Sequence, residues 1–255
     1  MKTFNFWTII LSAAVLIFSS CKKDDDDNSA NTPGAIGIKF DHGWGPMHNP
    51  FSLNTPLIHP ATQEEITFTT LRYYVSNVIL HKANGEDWIE SESYRIVTVP
   101  GSSSTVRLEV GNIPPGEYTG MTFMVGVDAP RNTSGAQTGA LSPAEGMFWS
   151  WTTGYIFIKA EGMSPASPSG QFMYHIGGFE GAENAIRTTR IDFGGQSLVV
   201  NGSIKPDVHL KVNAARFWHG GISLGDISSI HMPGANAVTI ADNFIGAFTF
   251  DHFHQ

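Results

Sequence analysis

From residue 36 onward, apolar and polar positions alternate in short runs, and turn residues break those runs. Alternation with period two is the signature of strands, whose successive side chains point to opposite faces. Strand-like segments fall at residues 36–40 (IGIKF), 66–71, 73–80 (YYVSNVIL), 94–99, 106–110, 118–127, 155–160, 172–176, 187–193, 197–200, 207–212 and 244–250. Asn84-Gly85, Pro114-Pro115-Gly116, Gly194-Gly195 and Asn201-Gly202 supply turns between them. Helical periodicity is nearly absent, and its best candidate, residues 213–219, is short. Strands at this density predict an all-β fold, a single β-sandwich domain of antiparallel strands with long loops spanning residues 35–255. The turn-rich piece 128–146 sits between two strong strands, and long ordered loops often carry function.

The first residues follow a different pattern. Lys2 precedes an almost unbroken apolar run at residues 7–18, which shrinks to Ser19-Ser20 before Cys21. A charged start, a short apolar stretch and small residues before a cut site predict a signal peptide over residues 1–20. The run is about a dozen residues, whereas a membrane span needs roughly 20. Cys21 is the only cysteine in the chain, and its setting resembles bacterial lipobox processing, with lipidation of Cys21 and cleavage before it. Residues 21–34 then read as an acidic flexible tether, because like charges in a row repel and stay extended. The stretch CKKDDDD resembles the signal that sends some lipoproteins to the outer face of the outer membrane. The expected location is therefore an outer-membrane lipoprotein exposed at the cell surface.

Composition narrows the chemistry. With Cys21 consumed by acylation, no thiolate is left for a disulfide or a thiolate metal site, so ligands must be nitrogen, oxygen or methionine sulfur. Fifteen basic against 23 acidic side chains argue against nucleic acid, which requires a basic face. There is no phosphate-binding glycine loop, nucleophile elbow or H-E-x-x-H. The ten histidines are what stand out. They cluster as Asp41-His42-Gly43-Trp44 with His48, Tyr174-His175, Trp218-His219 and Asp251-His252-Phe253-His254. Neutral imidazole suits copper or zinc, and in a strand His252 and His254 share one face, where they could share a metal. Any single strand histidine is more often a hydrogen-bonded core or rim residue, and Trp149 and Trp151, two apart, could equally face a core.

Residues 127–162, VDAPRNTSGAQTGALSPAEGMFWSWTTGYIFIKAEG, resemble the MbnP-like family of copper-binding proteins, named after a partner in methanobactin operons. LRYYVSNVIL (71–80), IPPGEYTG (113–120), YHIGGF (174–179) and IADNFIGAFTFDHFH (240–254) match further landmarks in the same order. The resemblance implies an all-β protein holding one copper ion through two histidines and the amine of a kynurenine. That kynurenine is made from tryptophan by a partner di-haem enzyme resembling the MauG group. Indole nitrogen is a donor only, whereas the opened ring carries an amine able to ligate. Carried onto this chain, the candidates are Trp149 or Trp151 for the oxidised residue, with Trp44 as a rival, and His42 and His175 for the imidazoles. His252 and His254 are further ligands or groups that orient them.

The expected function is copper capture or homeostasis without catalysis. The alternative is a metal-free sandwich that binds a glycan or partner protein, in which exposed Trp44, Trp88 or Trp218 would stack on sugars. A third reading is a histidine-built catalytic metal centre using Asp128, Glu145 or Glu161 as acid or base.

Overall fold

The computed structural model describes Met1 and residues 31–135, 137–150 and 152–254. The leader, Cys21, its acidic neighbours and Trp151 lie outside the described residues. In chain order the strands are β1 (Gly34–Trp44), β2 (Asn49–Pro50), β3 (Leu57–Ile58), β4 (Glu65–Lys82), β5 (Asp87–Ile89), β6 (Tyr94–Thr98), β7 (Thr105–Ile113) and β8 (Gly116–Val125). After the short helix α1 (Ala129–Thr133) come β9 (Phe148–Ser150), β10 (Gly154–Tyr155), β11 (Ile158–Met163), β12 (Gln171–Ile176), β13 (Arg187–Asp192), β14 (Leu198–Val200) and β15 (Asp207–Asn213). The described chain closes with β16 (Ser229–Ile230), helix α2 (Ala235–Ile245) and β17 (Phe248–His254).

These elements make two curled sheets, the sandwich that the alternation predicts, and a separate two-stranded β9–β10 hairpin. In the smaller sheet β1 is central: β15 lies parallel along one edge and β7 antiparallel along the other, with β17 outside β15. In the larger sheet the spine runs β13–β8–β4–β11–β12–β16. Pairing is antiparallel except for β1–β15 and β12–β16. Inward side chains from both sheets meet in an aromatic core. Phe40 of β1 lies edge-on to Tyr73 of β4 and Phe123 of β8 at 6.1 and 5.9 Å, and Phe248 of β17 packs on Phe123 at 5.2 Å. Each such pair contributes about 0.5–1.5 kcal/mol beyond the area it buries.

Several boundaries differ from the sequence reading, and the strand expected at 155–160 is split between the end of β10 at Tyr155 and the start of β11 at Ile158. Segments 66–71 and 73–80 are one long strand, β4, bent where Asn77 adopts a positive φ of 51° and the pairing with β8 shifts register. The strand expected at 244–250 begins only at Phe248, because Phe244 and Ile245 form the end of α2. That helix buries Ala237, Ile240, Ala241 and Phe244, an i, i+3, i+4, i+7 stripe. Two of its four inward positions are alanines, so the apolar signal is weak. Residues 213–219 do curl, as a 3₁₀ turn over Ala214–Trp218.

Candidate metal centre

Strands β11 and β12 set the first residues of the site. In β12, Phe172, Tyr174 and Ile176 point inward, so His175 falls on the outer face. In β11 the same alternation puts Lys159 and Glu161 outside. The β11–β12 register pairs His175 with Lys159, which makes Glu161 its diagonal neighbour. His175 Nε2 and Glu161 Oε1 are 2.7 Å apart. A carboxylate only accepts, so Nε2–H donates, and in the neutral ring the lone pair is on Nδ1. Among the described residues Nδ1 has no hydrogen-bond partner. Burial opposes ionisation of Glu161, yet the His175 hydrogen bond and the Lys159 charge hold its carboxyl below the usual range. An imidazole oriented by a carboxylate through one nitrogen and open at the other is how metal-ligating histidines are held.

Three further segments come together beside His175. Strand β16 runs parallel to β12 with Tyr174 opposite Ile230, and one residue further along stand His175 and the exposed His231. Past β12 the chain turns through Gly177 and Gly178. A Cβ on Gly177 would come within 2.6 Å of Trp149 Cζ3, so the indole lies directly on this backbone. Gly178, at φ +117°, would meet Pro233 at 3.1 Å, which ties the segment after β16 to the same turn. A cleft of about 400 Å³ opens here between Thr152-Thr153 and Met232-Pro233, floored by Gly178 and Phe179.

The β9–β10 hairpin that carries Trp149 is pinned from the loop at 128–146. Asn132 Nδ2 donates to the carbonyl of Val127 at 2.6 Å, and its Oδ1 accepts from Tyr155 N at 3.0 Å. The Tyr155 hydroxyl donates to Leu141 O at 2.7 Å. Asp128 caps α1 by accepting from Arg131 N and also accepts from the Tyr94 hydroxyl. The long loop therefore works as a brace for the hairpin.

The other residues singled out from the sequence lie elsewhere. His42 points into the core from β1 and is 2 % exposed. Its Nδ1 donates to Ser104 O at 2.6 Å and its Nε2 accepts from the Tyr73 hydroxyl at 3.0 Å, so both nitrogens are occupied. Burial lowers its pKa to about 4. His252 and His254 are on β17, at the edge of the smaller sheet, where the tail is an ordered strand beside His209 of β15. Trp44 and Trp218 are buried at 3 % and 0 %, so neither is available to stack on a sugar. Glu145 is paired with Arg72 and Asp128 with Tyr94.

Among the described residues no three His, Cys, Asp or Glu side chains are arranged to hold an ion. His175 and His231 each stand one residue past the paired Tyr174 and Ile230 on these adjacent strands. His231 escaped the sequence reading because its place depends on the parallel β12–β16 pairing across more than fifty residues. The only local hint is the string His231-Met232-Pro233-Gly234, a histidine at a turn.

The MbnP family profile matches residues 33–233. The chain belongs to the MbnP family. The fold is also similar to that of MbnP from Methylosinus trichosporium, at 17 % identity and a TM-score of 0.53, over 81 % of this chain and 87 % of that one. No curated protein matches the chain in sequence. The matched span contains His175, Trp149, Trp151 and His231 and ends before His252.

Proposed function

We propose that this family member is a non-catalytic copper-binding lipoprotein, anchored outside the cytoplasm through Cys21, which takes up copper at His175 and His231. The observation that carries the reading is the His175–Glu161 pair at 2.7 Å, beside the indole of Trp149 and the segment leading from His231 to Pro233. Two imidazoles form an incomplete, nitrogen-rich set suited to copper. An amine from kynurenine, formed at Trp149 or Trp151 by a di-haem MauG-like partner, would complete it. The cleft lined by Thr152 and Thr153 supports this, since those two residues directly follow the tryptophan segment in sequence. When bound, copper supplies a soft Lewis-acidic centre. The chain's own residues orient it: Glu161 fixes the His175 ring, and Asn132 and Tyr155 fix the hairpin.

Membership of a family named for methanobactin supports a role in copper capture or homeostasis. The test is metal content and peptide mass of protein purified from its native membrane. Copper at one equivalent, together with the mass gain of tryptophan-to-kynurenine conversion in the 149–151 peptide, is expected. Unmodified tryptophans and no retained copper would refute it. Retained copper that survives H175A would move the site elsewhere.

A further inference from the structure

We propose that His209, His252 and His254 form a second site, on the outer face of the smaller sheet, for a borderline divalent transition ion such as Zn(II) or Cu(II). Strands β15 and β17 pair antiparallel with His209 opposite His252, and the register slips just beyond, between His209 and Leu210. The slip leaves Asp251 without a partner in the ladder and keeps His252 and His254 on one face. The His209 and His252 rings stack at 4.2 Å with planes 22° apart, and the His254 ring lies 6.2 Å from His209. Among the described residues no hydrogen bond links one of these imidazoles to another.

One nitrogen makes the arrangement hard to explain otherwise. His209 Nε2 is buried and has no hydrogen-bond partner among the described residues. A buried nitrogen lone pair without a partner is unfavourable, and a metal ion would satisfy it. His252 is prepared for the same role from outside: its Nδ1 is 2.8 Å from Asp251 Oδ2, which leaves Nε2 to ligate. The charges facing the cluster are largely paired. Lys39 and Arg107 both hold Asp207 at 2.8 Å, and Lys211 holds Asp251 at 2.6 Å. As they stand the stacked rings are nearly parallel and their lone pairs do not meet at a point. The half-exposed His252 ring must swing out of the stack to close the set.

Zn(II) titration of the full chain, read on the histidine ring resonances by NMR, tests this site separately from the one at His175. The expected result is concerted shifts of His209, His252 and His254, with binding at least about tenfold weaker in H252A and in H254A and unchanged in H175A. The wild-type resonances suffice on their own if a variant folds poorly. Saturating Zn(II) that shifts only His175 and His231 would overturn the second site and leave the copper reading intact. Shifts at His252 and His254 without His209 would also overturn it, since the buried nitrogen is then not a ligand.

Discussion

His42 and His175 both sit in alternating strands, both adjoin aromatic or acidic residues, and both are candidate imidazole ligands by the sequence. The fold treats them in opposite ways. His42 faces the core and spends both nitrogens on Ser104 and Tyr73. His175 faces out and spends one on Glu161. One residue of phase along a strand decides which face a side chain takes, and that choice separates a structural imidazole from a ligand. The difference yields a contrast in what each substitution should damage.

The largest effect is expected at His42. His42→Ala opens a cavity between the sheets and leaves the Tyr73 hydroxyl buried without a partner, which should cost about 3 kcal/mol of folding stability. Urea denaturation should show that loss, while copper content per folded molecule stays at the wild-type level. A parallel loss of copper would break the contrast and return His42 to the metal site.

Acid should sharpen the same contrast. The folded pKa of His42, about 4, lies below its unfolded value of 6.5, so the unfolded chain binds the extra proton first. Stability is therefore full above pH 6.5 and lost as the pH falls towards 4, by about 3 kcal/mol from this group. His59, whose pKa burial also lowers, adds in the same direction. Denaturant midpoints measured from pH 7 to 4 should fall steeply in the wild type and less steeply in His42→Gln. Equal slopes would remove His42 as the cause.

The alternation of Val208, Leu210 and Val212, or of Phe172, Tyr174 and Ile176, is visible in the sequence, and with it the all-β sandwich. Period-two patterning also puts His175 and His209 on outer faces. Pairing partners are not legible in this way. His231 falls one residue past the Tyr174–Ile230 pair, and His252 comes opposite His209, only through registers set by strands distant in sequence. Helix α2 was hidden because alanines carry half of its buried stripe. The Trp149–Gly177 contact was equally invisible, since a glycine with no side chain gives no sign of what lies on it.

On the His175 side the effects should appear in metal affinity rather than in folding. Glu161→Gln keeps the shape of the side chain and removes the charge that fixes the His175 ring. Copper should bind about 10–100-fold more weakly, the usual loss when a ligand's orienting carboxylate is changed. The carboxyl is partly exposed, so the denaturation midpoint should move little. Competition with a copper chelator measures the affinity. Unchanged affinity in Glu161→Gln would mean that the pair at 2.7 Å is only an ordinary surface contact.

The smallest change probes the join between the two halves of that site. Gly177→Ala places a methyl 2.6 Å from Trp149 Cζ3 and 2.5 Å from the Tyr155 carbonyl oxygen. The carbonyl belongs to β10 and cannot retreat without disturbing the hairpin, so the indole must move. Overpacking of this kind costs about 1–3 kcal/mol, and the hairpin's position between a braced loop and solvent puts this case near the lower end. Trp149 fluorescence should shift as the ring is lifted off the backbone, and copper retention should fall while His175 and Glu161 stay paired. If the indole moves and copper is held as before, Trp149 is packing and the third donor must come from another residue of that turn.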